Sequence, residues 1–431
     1  MILSRFLFAL SLLAFVSCKT AGKTGTASRT LRLSPALLDA HTGISVTDAS
    51  TGEIVYAFQD NKYFVPASNT KILSCYAVMK YLGDSIPGIR YRIGDDSTLF
   101  ISGLGDPSFL HRGFPRQRVL DFLKLFPRIN WMEQIFDESL GSGWAWDDYL
   151  DAYMVQRSPL PMYGNTVRFS LDATGAIASY PAVFSTQLKP GSAAGPAGMR
   201  VERDWDRNDF TVLPGDRSSQ EIPFNTTMGT MRELLEKATG RPVEMDPFAA
   251  LPEKDSRVLF SIPVDSLLRP MMFRSDNFFA EQSLMMVSQK MLGRFGITAV
   301  IDTVLRTDLR DLPQSPRWED GSGLSRYNLV SPLDLTTMLR KIIALPRGRE
   351  RLMAVFPSGG KGTLENYFHA AEPYIYAKTG TLSGVVALSG LIRAKSGREL
   401  LFSVLVNNSR APASEVRAAV ETFLLQLRDN Y

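Results

Sequence analysis

Phe64-Val65-Pro66-Ala67-Ser68-Asn69-Thr70-Lys71 runs straight into Ile72, Leu73, Cys75, Tyr76, Val78, Met79 and Leu82. These apolar positions recur at helical spacing and are too many for one face. The stretch reads as a helix buried on most sides, opening near Pro66 and Ser68 and ended by Gly83 and Pro87. A helix sets residues three apart on one face, so the amine of Lys71 falls beside the hydroxyl of Ser68. Upstream, Gly43 to Asp48 and Ile54 to Phe58 flank turn residues 49–53 and read as a hairpin.

Two later patterns complete a set. Ser275-Asp276-Asn277 precedes a helical pattern. Lys378-Thr379-Gly380-Thr381 ends the strand-like Tyr374-Ile375-Tyr376-Ala377. Each pattern alone is weak. Ser-x-x-Lys recurs at Ser358-Gly359-Gly360-Lys361, and Lys-Thr-Gly recurs at Lys23-Thr24-Gly25. Context separates them: a Gly-Gly loop cannot fix a serine–lysine geometry, whereas a buried helix can.

A serine hydroxyl needs a base before it attacks a carbonyl. A free lysine amine, with a pKa of about 10.4, is protonated at neutral pH. Burial and a second cation lower that value. The apolar helix supplies the burial, and Lys378 is the expected second cation. The helix N-terminus adds positive potential around Ser68. Gly380 on a strand edge lets a peptide-like substrate come close to the backbone.

Other chemistries fit poorly. A Ser-His-Asp triad needs a histidine. His41, His111 and His369 all lie in turn or loop settings that suit structural roles. No Gly-x-Ser-x-Gly elbow occurs, and no metal-binding pattern. No metal and no organic cofactor is expected. The net charge is only +4, with no Lys/Arg run, so nucleic acid is not an expected partner.

At 431 residues the chain exceeds what one core holds, about 250–300. Between 84 and 256 the texture changes to short alternating stretches (97–101, 166–171), turn-rich loops and a single helical pattern at 228–239. Beyond 257, helices are expected at 264–272, 278–292 and 332–344. Strands are expected at 375–378, 385–393 and 400–406, and a closing helix at 413–427. The expected architecture is α/β (α+β). Segments 31–83 and 257–431 form one catalytic domain, with an antiparallel sheet flanked by helices. Residues 84–256 form an inserted β-rich region of one or two subdomains.

At the front, Arg5 precedes an apolar run, Phe6 to Val16, too short to span a bilayer. Residues 1–18 read as a signal peptide and 19–30 as a flexible tether. Val16-Ser17-Cys18 resembles a lipoprotein cleavage site, with Phe15 where Leu is usual. Lipidation of Cys18 and ordinary cleavage both stay open. Cys75 reads as a small buried hydrophobe, so no disulfide is expected.

With its three ordered motifs, the chain resembles the serine penicillin-binding proteins and β-lactamases, for which this motif set is known. The long stretch between the first and second motifs is similar to the D-alanyl-D-alanine carboxypeptidase/endopeptidase family typified by penicillin-binding protein 4. Gly103-Leu104-Gly105-Asp106-Pro107, Asp320-Gly321-Ser322-Gly323-Leu324-Ser325-Arg326, Gly362-Thr363-Leu364 and Leu388-Ser389-Gly390 match it too. The resemblance implies a transpeptidase/β-lactamase-like fold. It also implies a serine peptidase acting on peptidoglycan stem peptides, acylated by β-lactams.

By that resemblance Ser68 is the nucleophile and Lys71 its base. Ser275 relays a proton, and Asn277 orients Lys71 and the substrate amide. Lys378, Thr379, Gly380 and Thr381 hold the substrate. The backbone N–H groups of Ser68 and Thr381 form the oxyanion hole. Two alternatives stand beside it: a β-lactamase of the same superfamily, and a peptidoglycan-binding protein without catalysis. The expected location is the periplasm or cell envelope, with membrane contact only through a lipid on Cys18.

Overall fold

The computed structural model describes residues 33–132, 136–247 and 251–431, together with Arg29, Leu31 and Ala249. The expected signal peptide, Cys18 and all of the tether but Arg29 lie outside the described residues.

Both ends of the chain build one sheet. Strands β1 (His41–Asp48) and β2 (Ile54–Phe58) come from the front. Strands β3 (Ile375–Leu382), β4 (Val385–Arg393) and β5 (Glu399–Asn407) come from the rear. The order is β3-β4-β5-β1-β2, antiparallel throughout. Strand β5 is covered on both faces, and the period-2 alternation of a strand divides its side chains. Leu401 and Leu405 enter a core made mostly of helices. Leu400, Phe402, Val404 and Val406 enter a second core with the closing helix. This leaves β3 as an edge strand.

Four helices matter for the site. They are α1 (Lys71–Tyr81), α2 (Asn277–Leu292), α3 (Pro332–Ala344) and α4 (Ala413–Asn430). Every residue of α1 from Lys71 to Met79 is buried, as the all-round apolar pattern requires. Helices α1, α2 and α3 share one core, whereas α4 covers the opposite face of the sheet through Val416, Val420, Phe423 and Leu424. Caps set the starts: the Asp276 side chain accepts from Phe279 N–H at α2, and Ser331 with Asp334 forms a capping box at α3. Cys75 is a buried free thiol whose pKa burial pushes up to about 12.

Pro87 differs from its reading as a helix terminator. It lies inside the strand Ser85–Ile93, opposite Phe260, where the pairing register slips. An irregular position tolerates a residue that has no N–H to give the ladder. That strand joins 98–103, 128–132, 243–246 and 257–263 in a mixed five-stranded sheet. Arg257–Pro263 thus pairs with the middle of the chain, although its sequence position groups it with the rear segment. A three-stranded sheet and a two-stranded hairpin complete the middle region around Ile101, Trp131, Phe169, Phe210 and Phe224. Among the described residues no helix is long and apolar enough to cross a membrane.

Candidate active site

Pro66 leads into a tight turn, Ala67–Thr70, that feeds α1. Ala67 sits at φ 47° and Ser275 at φ 62°, left-handed conformations that cost a residue with a Cβ about 1–3 kcal/mol. Surrounding bonds over-determine the first turn. Thr70 Oγ1 donates to the Ala67 carbonyl at 2.9 Å, and Asn69 Nδ2 donates to the Lys378 carbonyl at 3.0 Å. The second bond ties the Ser68 turn to strand β3. Gly380 lets that strand approach, since a Cβ there would stand 2.8 Å from the Pro66 carbonyl oxygen.

Lys71 is fully buried. Its Nζ lies 3.0 Å from Ser68 Oγ, 2.6 Å from Asn277 Oδ1 and 2.8 Å from the Ser322 carbonyl oxygen. A neutral amine has two hydrogens and one lone pair. The two carbonyl oxygens can only accept, so they take both hydrogens. The lone pair is then left for the Ser68 hydroxyl. Asn277 Nδ2 donates to the Tyr153 carbonyl at 3.0 Å, which turns its Oδ1 toward Lys71.

Burial lowers the Lys71 amine to about 8, while Asp320, Glu281 and Asp276 pull it upward. Lys378 is also fully buried; its Nζ donates to Ser275 Oγ at 2.9 Å and to the Thr379 carbonyl at 2.7 Å. Its pKa falls well below the ordinary value, through burial first and the charge of Lys71 second. Lys378 is thus not the cation that lowers Lys71, as its sequence context suggested: burial comes first for both amines, and the effect of charge runs from Lys71 to Lys378.

The structure therefore brings these side chains into two hydrogen-bonded groups, Lys71 with Ser68 and Asn277 and Lys378 with Ser275, near enough for the charge of Lys71 to act on Lys378. Thr379 and Thr381 alternate away from Lys378 along the strand. Thr379 lines a recess with Val420 and Arg417 of α4, and the exposed Thr381 accepts from Arg417 Nη2 at 2.5 Å. Ala377 N–H donates to the Pro357 carbonyl on the side away from β4. Antiparallel strands alternate their N–H groups between edges, so those of Thr379 and Thr381 face that same side.

Several supports of these side chains lie outside the three ordered motifs. Asp320 is buried and accepts from Gly323 N–H, Ser325 N–H, Asn328 Nδ2 and Trp144 Nε1. It thereby shapes the loop whose Ser322 carbonyl holds Lys71. Glu281, one turn after Asn277 on α2, accepts from the N–H groups of Gly321 and Ser322. Its carboxylate meets Arg157 of the middle region, Nε donating at 2.9 Å. Two signals were available: residues 320–326 stand among the quoted family matches, and Glu281 is an acid within a largely apolar helical pattern, a placement that needs a partner.

The histidines stand apart. His41 stacks on Phe64 and His111 packs against Phe279. Among the described residues none bonds to Ser68, and no group of three or more His, Cys, Asp or Glu could hold a metal. A cavity of about 700 Å³ in the middle region is lined by Trp131, Arg157, Asn225 and Met231, and by none of the motif residues.

The model of the D-Ala-D-Ala carboxypeptidase 3 (S13) family matches residues 26–427. The chain belongs to that family. A D-alanyl-D-alanine carboxypeptidase from Actinomadura sp. (strain R39) is 28% identical, over 88% of this chain and 80% of its own. Penicillin binding protein 4 from Haemophilus influenzae shares the fold with a TM-score of 0.70 at 19% identity, covering 94% of this chain and 98% of its own. A crystal structure of that protein complexed with a β-lactam gives a TM-score of 0.65 at 18% identity, over 94% of this chain and 99% of its own. The S13 fold accounts for both parts of the molecule: a transpeptidase/β-lactamase-like unit and an inserted β-rich region. As a member of the family, the chain is a serine-type D-Ala-D-Ala carboxypeptidase, a hydrolase.

Proposed function

We propose that Ser68 is the residue acylated during cleavage of the bond between two terminal D-alanines of a peptidoglycan stem peptide. The observation that carries this reading is the environment of Lys71: two accepting carbonyl oxygens and one hydroxyl around a buried amine. Neutral Lys71 takes the Ser68 proton as Oγ bonds to the substrate carbonyl carbon. The resulting oxyanion is held by the N–H groups of Ser68 and Thr381. Losing one such donor costs about 10²–10³ in rate.

The C–N bond then breaks, and the leaving amine takes the proton from Lys71 by way of Ser275, which Lys378 holds in place, so that Lys71 is neutral again. Asn277 keeps Lys71 and the substrate amide aligned. Strand β3 takes the substrate as an added strand, and Thr379, Gly380 and Thr381 line its path. Water attacks the ester carbon, its proton passes back through Lys71, and Ser68 is released. A β-lactam enters the same route as far as the ester. Export by residues 1–18, whether it ends in lipidation of Cys18 or in ordinary cleavage, fits a substrate outside the cytoplasm.

Mass spectrometry after incubation with benzylpenicillin tests the assignment. A single adduct on a peptide containing Ser68, lost in Ser68→Ala, is expected. An adduct at another residue, or none, overturns it. Turnover of the drug within minutes would favour a β-lactamase instead.

A further inference from the structure

The two N–H groups assigned to the oxyanion stand on separate elements. Ser68 belongs to the turn Ala67–Thr70, and Thr381 to the edge strand β3. Such a hole works only if its two halves keep a fixed separation, because both donors must stand about 2.7–3.1 Å from one oxygen. Asn69, the residue after Ser68, spans the halves: its Nδ2 donates to the Lys378 carbonyl at 3.0 Å. A carbonyl can only accept, which fixes how the amide is turned. The amide is also wedged under the strand. A Cβ on Gly380 would stand 3.1 Å from Asn69 Nδ2 and 2.8 Å from the Pro66 carbonyl oxygen, which accepts from Asn69 N–H.

An asparagine is costly in this place. Asn69 is fully buried, and its Oδ1 has no hydrogen-bond partner among the described residues. A buried acceptor left without a donor lowers stability. The Lys378 carbonyl does not require the amide either. Ala377 N–H points away from β4, so the N–H and carbonyl of Lys378 point toward β4, where Ser389 is the paired residue. The ladder supplies that carbonyl with one donor, and Asn69 occupies its second lone pair. An apolar side chain of similar shape would leave no orphan oxygen. What the amide adds is a cross-tie between the Ser68 turn and the strand that carries Thr381.

We propose that Asn69 is a positioning residue of the acylation step, one that sets the distance between the Ser68 and Thr381 N–H groups and hence how strongly the oxyanion is held. This rests on the peptidase reading above and deepens it. Contacts to the oxyanion strengthen as the carbonyl carbon becomes tetrahedral. Asn69 therefore acts on the rate after binding and leaves ground-state affinity nearly unchanged.

The test compares wild type, Asn69→Leu and Asn69→Ala. Leucine approximates the shape and removes both amide atoms. The readouts are kcat and KM for D-alanine release from a stem pentapeptide, inhibition by an arylboronic acid, and the urea midpoint. The boronic acid takes Ser68 Oγ onto boron and leaves a hydroxyl in the oxyanion hole, so it imitates the tetrahedral state. In both variants kcat should fall by about 10²-fold, the boronic acid should weaken by a similar factor, and KM should move by less than about threefold. The urea midpoint of Asn69→Leu should equal or exceed that of wild type. Asn69→Ala, which adds no group that must be seated, carries the kinetic comparison if the leucine variant does not fold. An unchanged kcat overturns the cross-tie, and so does a fall in kcat without a matching loss of boronic acid affinity. A midpoint that drops in Asn69→Leu while KM rises as far as kcat falls means that the amide serves the fold, and overturns it too. A wild-type protein that releases no D-alanine and takes no penicillin sinks the peptidase reading itself, whereas acylation of Asn69→Leu at the wild-type rate sinks the cross-tie alone.

Discussion

Arg157 and Glu281 form an ion pair at 2.8 Å with side chains only 2% and 1% exposed. The arginine comes from the middle region and the acid from α2. The same carboxylate accepts from Gly321 and Ser322, and the Ser322 carbonyl accepts from Lys71. The middle region therefore braces the Lys71 amine from behind, three contacts removed from it.

Removing one partner of such a pair strands a charge in the core. Arg157→Met should destabilise the protein by about 3–5 kcal/mol, read by urea denaturation. Acylation by benzylpenicillin should slow as well, because the loop at 320–325 loosens around Lys71. A variant as stable as wild type would remove the brace from the account.

Lys71 must be neutral to accept the Ser68 proton, and burial sets its pKa at about 8. The acylation rate should therefore rise with pH, about tenfold per unit below 8, and level off above it. Stability follows the same group. A lysine at about 8 in the folded chain and 10.5 in the unfolded one carries a penalty of about 3 kcal/mol that is full below pH 8 and fades as pH climbs toward 10.5. The stability of wild type relative to Lys71→Met should thus improve between pH 7 and pH 9.5 in paired urea titrations. A flat difference would mean that the amine is not strained by burial.

Gly323 sits at φ 81°, and a Cβ on it would land on the carbonyl oxygen of Ala67. The loop and the nucleophile turn touch there with no room between them. Gly323→Ala should displace Ser68 and lower the acylation rate by about 10²-fold, measured by stopped-flow or quenched mass spectrometry. Retained speed would show that the turn can yield without cost.

Much of the catalytic unit was legible because it is written locally. The hairpin, α1, the helix after Ser275 and the last three strands each carry their own period. The Ser68–Lys71 spacing follows from a helical turn alone. Pro87 and the strand 257–263 were not legible, because a pairing partner across a long separation decides them. The helices Ile297–Thr307 and Gly348–Val355 also lack a reading; neither has a side-chain cap to announce it.

The amino-acid order by itself determined the reaction class, since a hydroxyl, two amines and an amide in three motifs name one, and it singled out the side chains proposed to carry it. Tertiary structure alone decided how deeply both amines are buried, where Thr379 and Thr381 point, and that Arg157 and Arg417 reach residues beside the site. The reason is physical. A side chain's identity is local, but its charge state and its neighbours depend on the burial and packing of segments far apart along the chain.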